Sequence, residues 1–264
     1  MVLTGSAVAR TGVAVAGVVA AAHLLPGLLG VPGAANLVPV LTGSGQPGWI
    51  GLTFDDGPHN DGTRAILDQL DRFAVTATFF VVGEQLLRNP DIGRRVAGQG
   101  HELAVHGWNH RPLPSRPPGR IARELTDTRE LIAAVTGAIP RWYRPPFGVA
   151  TGETLWVARR LGLRPVWWNR WGRDWDRRAT PARIARKVIG PPGRHRLHGG
   201  DVILLHDSDA YAAPGSWRAT AAALPTILGY AVRRGLRVSA LDAGTPDGGR
   251  SSGGATVSGG VGTR

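Results

Sequence analysis

Between residues 49 and 241, short apolar runs alternate with longer stretches that have helical periodicity. The apolar runs, which predict buried strands, are Trp49–Phe54, Ala77–Val82, Glu102–His106, Arg141–Arg144, Pro165–Asn169, Val202–His206 and Leu236–Leu241. The stretches between them predict helices at Thr63–Phe73, Asp91–Gln99, Ile121–Val135, Glu153–Leu161, Pro181–Val188 and Trp217–Arg234. Strands and helices that alternate in this way form a parallel sheet, because each helix returns the chain to the end at which the next strand begins. The sequence therefore predicts an α/β fold with about seven parallel strands, in a sheet that is open or closed into a barrel.

Polar clusters follow five of the predicted strands. They contain Asp55-Asp56, His106 with His110, Arg144, Asp174 and His206. In a β/α barrel, catalytic residues collect at the C-terminal ends of the strands. Each cluster alone is compatible with a turn, a surface loop or a buried histidine, but five together predict one shared site.

The residue types in these clusters suit metal-assisted hydrolysis. The chain contains no Cys, so a metal ion must be bound by His and carboxylate side chains. Two His and one Asp offer three ligands and leave positions open, as a catalytic zinc site requires. The other Asp can act as general base, Arg144 can orient it, and His206 can act as acid. Together these groups predict hydrolysis of an amide.

The clusters resemble the five motifs of the NodB-homology polysaccharide deacetylases, which are carbohydrate esterase family four. The matching residues include Thr53-Phe54-Asp55-Asp56-Gly57-Pro58, the His106/His110 pair and Arg144-Pro145-Pro146-Phe147-Gly148. They occur in the family's order, and the resemblance runs from about Trp49 to Leu241. It implies a distorted (β/α) barrel and the removal of N-acetyl groups from N-acetylhexosamine residues of a polysaccharide, such as peptidoglycan or a chitin-like polymer.

The resemblance also implies a role for each site residue. Asp55 would be the general base, His206 the acid, and one divalent ion, Zn²⁺ or alternatively Co²⁺, would activate the attacking water. The implied metal ligands are Asp56, His106 and His110. Arg144 would orient Asp55, Asp174 would tune His206, the backbone amide of Phe147 would help stabilise the oxyanion, and Trp175 and Leu204 would shape the acetyl pocket. Gly107 replaces a hydroxyl residue often found in the family, and Phe147 replaces a common Tyr.

The two ends of the chain differ from the central region in composition. No charged residue occurs from Thr11 to Leu41, which predicts that residues 1–45 are a secretory signal or a membrane anchor. The alternative is an extra helix packed on the domain. The catalytic domain is predicted at residues 46–243, and the Gly/Ser-rich tail at residues 244–264 is predicted to be disordered. These features predict a membrane-anchored or secreted protein of the cell envelope.

The formal net charge of +12 comes almost wholly from Arg. The Arg residues are scattered, with pairs at Arg94-Arg95, Arg159-Arg160, Arg177-Arg178 and Arg233-Arg234. A nucleic-acid binder concentrates its charge on one face, so we do not expect a nucleic-acid partner. The simplest interpretation is a solvated basic surface, and the alternative is attraction to an anionic membrane or cell-wall surface. The oligomeric state is not indicated by the sequence.

Other interpretations remain open from the sequence. The same site could hydrolyse an O-acetyl ester or a small cyclic amide, and a sugar-binding module could retain the motifs without turnover. The expected partner is an N-acetylated glycan substrate. Several aromatic residues near the motifs could stack on sugar rings, although most are expected to belong to the core: Trp108, Trp142, Trp167, Trp168 and Trp171.

Overall fold

The computed structural model describes residues 48–117, 119–193 and 196–241. The predicted N-terminal segment at residues 1–45 and the predicted tail at 244–264 lie outside these ranges. Within the described residues, no helix combines the length and the apolar content needed to cross a membrane.

Eight strands form one sheet, and every strand pairing in the described residues is parallel. The strands are β1 (Trp49–Asp55), β2 (Thr78–Val81), β3 (Glu102–Val105), β4 (Trp142–Tyr143), β5 (Arg164–Pro165), β6 (Arg170–Trp171), β7 (Val202–His206) and β8 (Arg237–Ser239). Their order is β5-β4-β3-β2-β1-β7-β6, and β8 pairs with the beginning of β1. The predicted α/β fold with a distorted parallel barrel is confirmed.

Seven α-helices connect the strands in the described residues, together with short 3-10 helices at Leu113–Ser115 and Pro146–Gly148. The α-helices are α1 (Asn60–Arg72), α2 (Gly83–Arg88), α3 (Pro90–Gly98), α4 (Arg120–Thr136), α5 (Gly152–Arg160), α6 (Pro181–Ile189) and α7 (Ser216–Arg233). Six of them agree with the predicted helices to within a few residues. Helix α2 was not predicted because six residues are too few to show a helical period.

The segment from Arg164 to Trp171 joins the two edges of the sheet. β5 pairs with β4 at one edge, and β6, only four residues later, pairs with β7 at the other edge. Backbone hydrogen bonds run from Val166 N to Tyr143 O (2.9 Å) and from Asn169 N to Val202 O (3.2 Å). The prediction of one strand at Pro165–Asn169 is therefore wrong in detail. A chain that bridges two edges must leave one ladder before it joins the next, so it forms two short strands around a bend.

Alternate residues of β1 face opposite sides of the sheet, as strand geometry requires. Ile50, Leu52 and Phe54 pack in the main core, which also contains the apolar faces of the helices. Thr53 and Asp55 instead face the barrel interior, where both contact the Arg144 side chain. This alternation places a carboxylate inside the barrel at the end where β1 stops.

Candidate active site

A cavity of about 250 Å³ lies at the C-terminal ends of the strands. It is lined by Asp55, Asp56, His106, His110, Phe147, Gly148, Trp168, Trp171, Trp175, Leu204, His206 and Tyr211. Eight of the ten predicted site residues are in this lining. The other two, Arg144 and Asp174, are fully buried behind it, where each contacts a lining residue. The structure therefore brings all ten together.

Arg144 fixes the orientation of Asp55. Its guanidinium donates to Asp55 Oδ1 (2.7 Å) and to Thr53 Oγ1 (2.8 Å). It also donates to the carbonyls of Val166 and Trp167 in the bridging segment, each at 3.3 Å. The fully buried guanidinium thus donates to four acceptors, as a buried cation requires.

Asp56, His106 and His110 bring their ligand atoms together within 4.8 Å of one another. Asp56 Oδ1 lies 3.5 Å from His106 Nε2 and 3.2 Å from His110 Nε2. Despite this proximity, the buried Asp56 Oδ1 has no hydrogen-bond partner within the described residues. A buried carboxylate oxygen without a donor is costly, so a cation between the three side chains would stabilise the arrangement.

The protonation of the two imidazoles is consistent with metal binding. His106 Nδ1 lies 2.8 Å from the carbonyl oxygen of Arg144. Because a carbonyl only accepts, Nδ1 must carry the proton, and the lone pair of Nε2 then points toward Asp56. Burial lowers the pKa of His110 to about 4, although Asp56 opposes the shift. His110 is therefore neutral near pH 7, and its contact with Asp56 is not an ion pair.

The electrostatics of Asp56 agree with this interpretation. Burial alone would raise the pKa of Asp56, but the surrounding imidazoles of His106, His110 and His206 hold it at about 2. The carboxylate is therefore ionised near neutral pH and available to a cation.

Several residues around the site have a left-handed backbone conformation. Asp56 (φ 79°), His110 (φ 48°) and Phe147 (φ 59°) are the non-glycine examples at the cavity. Such conformations are strained for residues with a side chain and cluster at functional sites. Gly107 has φ +90°, which explains why glycine rather than a hydroxyl residue occupies this position between the two histidines.

His206 and Asp174 form a buried pair. His206 Nδ1 lies 3.0 Å from Asp174 Oδ1, and the His206 backbone N donates to Asp174 Oδ2 (2.8 Å). Thr220 of α7 donates to the same Oδ2 (2.8 Å) and so fixes the carboxylate. Burial alone would lower the pKa of His206, but Asp174, with a smaller contribution from Asp56, raises it to about 10. The imidazole is therefore protonated near neutral pH.

Asp207 was not among the predicted site residues, although it supports the turn that carries Asp56. Its Oδ2 accepts from Thr63 Oγ1 (2.5 Å). A Cβ added to Gly57 would lie 2.3 Å from the same oxygen, so this turn requires glycine. Burial is the largest factor that raises the pKa of Asp207, to about 7.

Aromatic side chains form the walls of the cavity. Trp175 lies edge-on to His206 (centroids 5.3 Å apart), and Trp171 and Trp168 continue the row. Tyr211 stacks on His110 at 4.5 Å. Of the five Trp residues considered for sugar stacking, Trp168 and Trp171 line the cavity, and Trp168 also packs against a buried apolar cluster. Tyr211 was missed because it lies in a loop five residues after His206, where no sequence pattern marks it.

Two other histidines have structural contacts. His59 is the N-cap of α1, and its Nδ1 accepts from Gly62 N (2.9 Å). His198 lies near Asp201, which is fully buried and accepts from Arg170 and Asn169 at the opposite end of β7. Neither residue lines the cavity.

Comparison with known proteins gives consistent matches. A family model described as polysaccharide deacetylase matches residues 42–166. A chitooligosaccharide deacetylase of Bradyrhizobium sp. (strain ANU 289) is 34% identical over 200 residues, which are 72% of this chain and 87% of the relative. A peptidoglycan-N-acetylglucosamine deacetylase of Listeria monocytogenes is 31% identical over 193 residues, and the match spans 73% of this chain but only 38% of that longer protein.

Solved structures agree with the sequence matches. A family 4 carbohydrate esterase from Streptomyces lividans, determined in complex with acetate, is 30% identical with a TM-score of 0.64. The match covers 73% of this chain and 92% of that one.

Proposed function

The chain belongs to the polysaccharide deacetylase family, and we propose that it hydrolyses the N-acetyl groups of N-acetylhexosamine residues in a glycan. One observation supports this proposal most strongly. Around a single cavity, the Asp56 oxygen that lacks a hydrogen-bond partner in the described part of the chain faces His106 and His110, with Asp55 on one side and protonated His206 on the other. This is the set of groups that metal-assisted amide hydrolysis requires. The names of the curated relatives support a glycan substrate of the chitin or peptidoglycan type.

We propose that Asp56, His106 and His110 hold one divalent cation, zinc or cobalt. The fit rests on the donor set, which contains one carboxylate and two imidazole nitrogens, and on the Asp56 oxygen that has no protein donor within the described residues. When bound, such a cation would supply a Lewis acid for the acetyl carbonyl and for the attacking water.

The remaining steps belong to side chains of the protein. Asp55 has one oxygen held by Arg144, which leaves Oδ2 to accept a proton as water attacks the amide carbon. His206 gives a proton to the amide nitrogen, because an amine leaves only after protonation. The C–N bond then breaks, and acetate and a free amino sugar are released. Asp174 holds Nδ1 of His206 and so directs the other ring nitrogen to the cavity.

The lining of the cavity matches the acetyl group and the sugar. Leu204 and Trp175 offer apolar contacts for the methyl group beside His206. The faces of Trp168, Trp171 and Tyr211 are available for stacking on sugar rings. The contribution of the Phe147 backbone amide to oxyanion stabilisation is part of the proposal.

The direct test measures metal content and acetate release together. The purified chain should release acetate from chitin oligomers or peptidoglycan, lose this activity on chelation, and regain it with Zn²⁺ or Co²⁺. His106→Ala and His110→Ala should lower metal content and activity in parallel. His198→Ala is the matched control, because it removes an exposed imidazole far from the cavity. Persistent activity in chelated protein without detectable metal would contradict the proposal, as would a preference for O-acetyl esters over amides.

We also propose that the protein acts at the cell envelope, as a membrane-anchored or secreted enzyme. The support is the absence of charge from Thr11 to Leu41. A fusion of residues 1–45 to a reporter should be found in the membrane or outside the cell. A reporter that stays entirely in the cytoplasm would refute this localisation.

A further inference from the structure

The positive charge of the chain is concentrated in its last third. Residues 177–241 contain 11 Lys and Arg but only three Asp and no Glu, whereas residues 48–176 contain 17 Lys and Arg against 14 Asp and Glu. Two of the three Asp residues, Asp201 and Asp207, are buried. The third, Asp209, lies after β7, where it is 3.5 Å from His59. Two of the four Arg pairs, Arg177-Arg178 and Arg233-Arg234, therefore belong to a region with almost no exposed negative charge.

Folding collects six of these cations at one end of the barrel, and we name them the basic face: Arg186, Lys187, Arg196, Arg233, Arg234 and Arg237. Arg186 and Lys187 are in the last turn of α6, and Arg233 is in the last turn of α7. Both helices run antiparallel to the strands, so they end where the strands begin. Arg237 begins β8. All six are exposed except Arg196, which is half-buried.

The contacts of the basic face leave its charges available. Arg196 lies over the Tyr230 ring of α7 (5.6 Å), and Arg237 lies over the Trp49 ring (5.3 Å). Within the described residues, none of the six forms an ion pair with a carboxylate. A cavity of about 460 Å³ opens between α7 and the loop that follows α6. Arg196, His198 and Arg234 are part of its lining. An anionic group can therefore approach several cations at once.

The N-terminal segment joins the domain at this face. The carbonyl oxygen of Gly48 accepts from Arg237 N (2.9 Å), and Trp49 pairs with Arg237 in the sheet. The residues before Gly48 include the uncharged, largely apolar run from Thr11 to Leu41. A run of this composition favours a lipid environment, and cations beside such a run are attracted to anionic headgroups.

We infer that the basic face binds the surface of an anionic phospholipid bilayer, with lipid phosphate groups contacting the ends of α6 and α7. The charge distribution and the position of Gly48 support a membrane rather than a soluble polyanion. Only a membrane would offer anionic groups to the basic face and an apolar environment to the run that precedes Gly48. This surface is separate from the active-site cavity, so the inference does not depend on the proposed deacetylation.

The test compares two variants that each remove an adjacent pair of positive charges. R233Q/R234Q changes the basic face at the end of α7, and R177Q/R178Q changes an exposed pair in the loop between β6 and α6, at the cavity end of the strands. Partition of the full chain is measured with vesicles of neutral phosphatidylcholine and with vesicles that also contain phosphatidylglycerol. The ratio of the two affinities isolates the contribution of charge, since an apolar anchor would insert into both.

The wild-type chain should prefer the anionic vesicles, and the preference should fall with added salt. R233Q/R234Q should lose on the order of tenfold or more of this preference, at about fivefold for each cation near the surface. R177Q/R178Q should change it less than about twofold. A wild-type chain without a preference, or equal losses in both variants, would overturn the inference.

Two further measurements separate the remaining explanations. Both variants should deacetylate a soluble chitin oligomer as wild type does, and R186Q/K187Q repeats the test from α6 if R233Q/R234Q fails to fold. Hydrogen exchange of the full chain in lipid nanodiscs should show protection of residues 229–237 only when the lipid is anionic. If R233Q/R234Q instead loses binding to a soluble polyphosphate while its vesicle preference is unchanged, the face binds a polymer and the membrane inference is wrong.

Discussion

Asp55 and Asp56 are adjacent in sequence but have different environments. Asp55 Oδ1 accepts from the buried Arg144, so part of its charge is already balanced. Asp56 has an oxygen without a hydrogen-bond partner among the described residues, and a left-handed backbone that turns it toward His106 and His110. The geometry therefore favours a division of roles, with Asp55 handling protons and Asp56 binding the metal.

This division predicts different defects for the two isosteric variants. Asp55→Asn should keep its metal and lose turnover by on the order of 10²–10⁴-fold, as expected for loss of a general base. Asp56→Asn should instead have a lower metal affinity, because an amide is a weaker ligand than a carboxylate. Metal content by atomic spectroscopy and acetate release are measured on the same samples. Equal metal loss in both variants would disprove the division.

The role of His206 can be tested through the leaving group. An amide nitrogen must be protonated before it departs, whereas an aryl acetate leaves as a stable phenolate. His206→Ala should therefore greatly reduce deacetylation of an amide, with unchanged metal content and a much smaller loss on the aryl ester. Leu197→Ala is a control for a core change of similar size, since Leu197 is buried far from the cavity. Equal losses on both substrates would make His206 a positioning residue.

Gly57 is a steric requirement of the Asp-Asp-Gly-Pro turn. Because an added Cβ would lie 2.3 Å from the Asp207 carboxylate, Gly57→Ala should displace Asp56 and lower metal affinity and activity together. Gly98→Ala is the control, because its added Cβ would meet no atom of the described residues within 4 Å. Metal titration of both variants provides the measurement. Wild-type affinity in Gly57→Ala would show that the turn can relax.

The segment that bridges β5 and β6 is held by the interior side chain of Arg144 rather than by continuous strand pairing. Arg144 donates to the carbonyls of Val166 and Trp167 and to Asp55, and its guanidinium lies 4.1 Å over the Phe80 ring. One residue thus links Asp55 to the segment that closes the barrel.

Replacement of Arg144 should therefore affect both stability and catalysis. Arg144→Met leaves Asp55 buried without its partner, which typically costs about 3–5 kcal/mol. Asp55→Asn keeps the contacts of Arg144 with the bridge and should destabilise the protein less. Thermal unfolding and hydrogen exchange at residues 164–171 are the readouts. Equal exchange rates in Arg144→Met and wild type would show that the bridge does not depend on Arg144.

The strands and helices with strong periodicity were predictable, and so were the five polar clusters, because each directly follows a strand. The bend at Val166–Asn169 was not predictable. The residues there are apolar because they are buried, and the same composition is expected of a continuous strand. The contact of Tyr211 with His110 joins residues about a hundred positions apart, and no local pattern encodes it. The basic face was missed because its members come from four separate segments of the sequence.

Asp207 predicts how the stability of the whole domain depends on pH. Its pKa is raised from 3.8 to about 7 in the folded protein. Between these values the folded state binds one more proton than the unfolded state, so this group's contribution to stability falls as the pH rises from about 4 to about 7. In metal-free protein, Asp207→Asn should therefore gain stability relative to wild type as the pH rises from 5 to 8. Denaturant titrations at both pH values test this, and a constant difference would contradict it.

The cavity and the basic face lie at opposite ends of the strands, since His206 ends β7 at the cavity and Val202 begins it at the other end. At about 3.3 Å per residue, roughly 13 Å of strand backbone separates the two ends. A molecule that rests on its basic face would hold its cavity at a constant height above the lipid, open to the polymer outside. Distance from the membrane would then decide which sugars the enzyme reaches. The deacetylated sugars would form a layer whose thickness reflects the dimensions of the barrel.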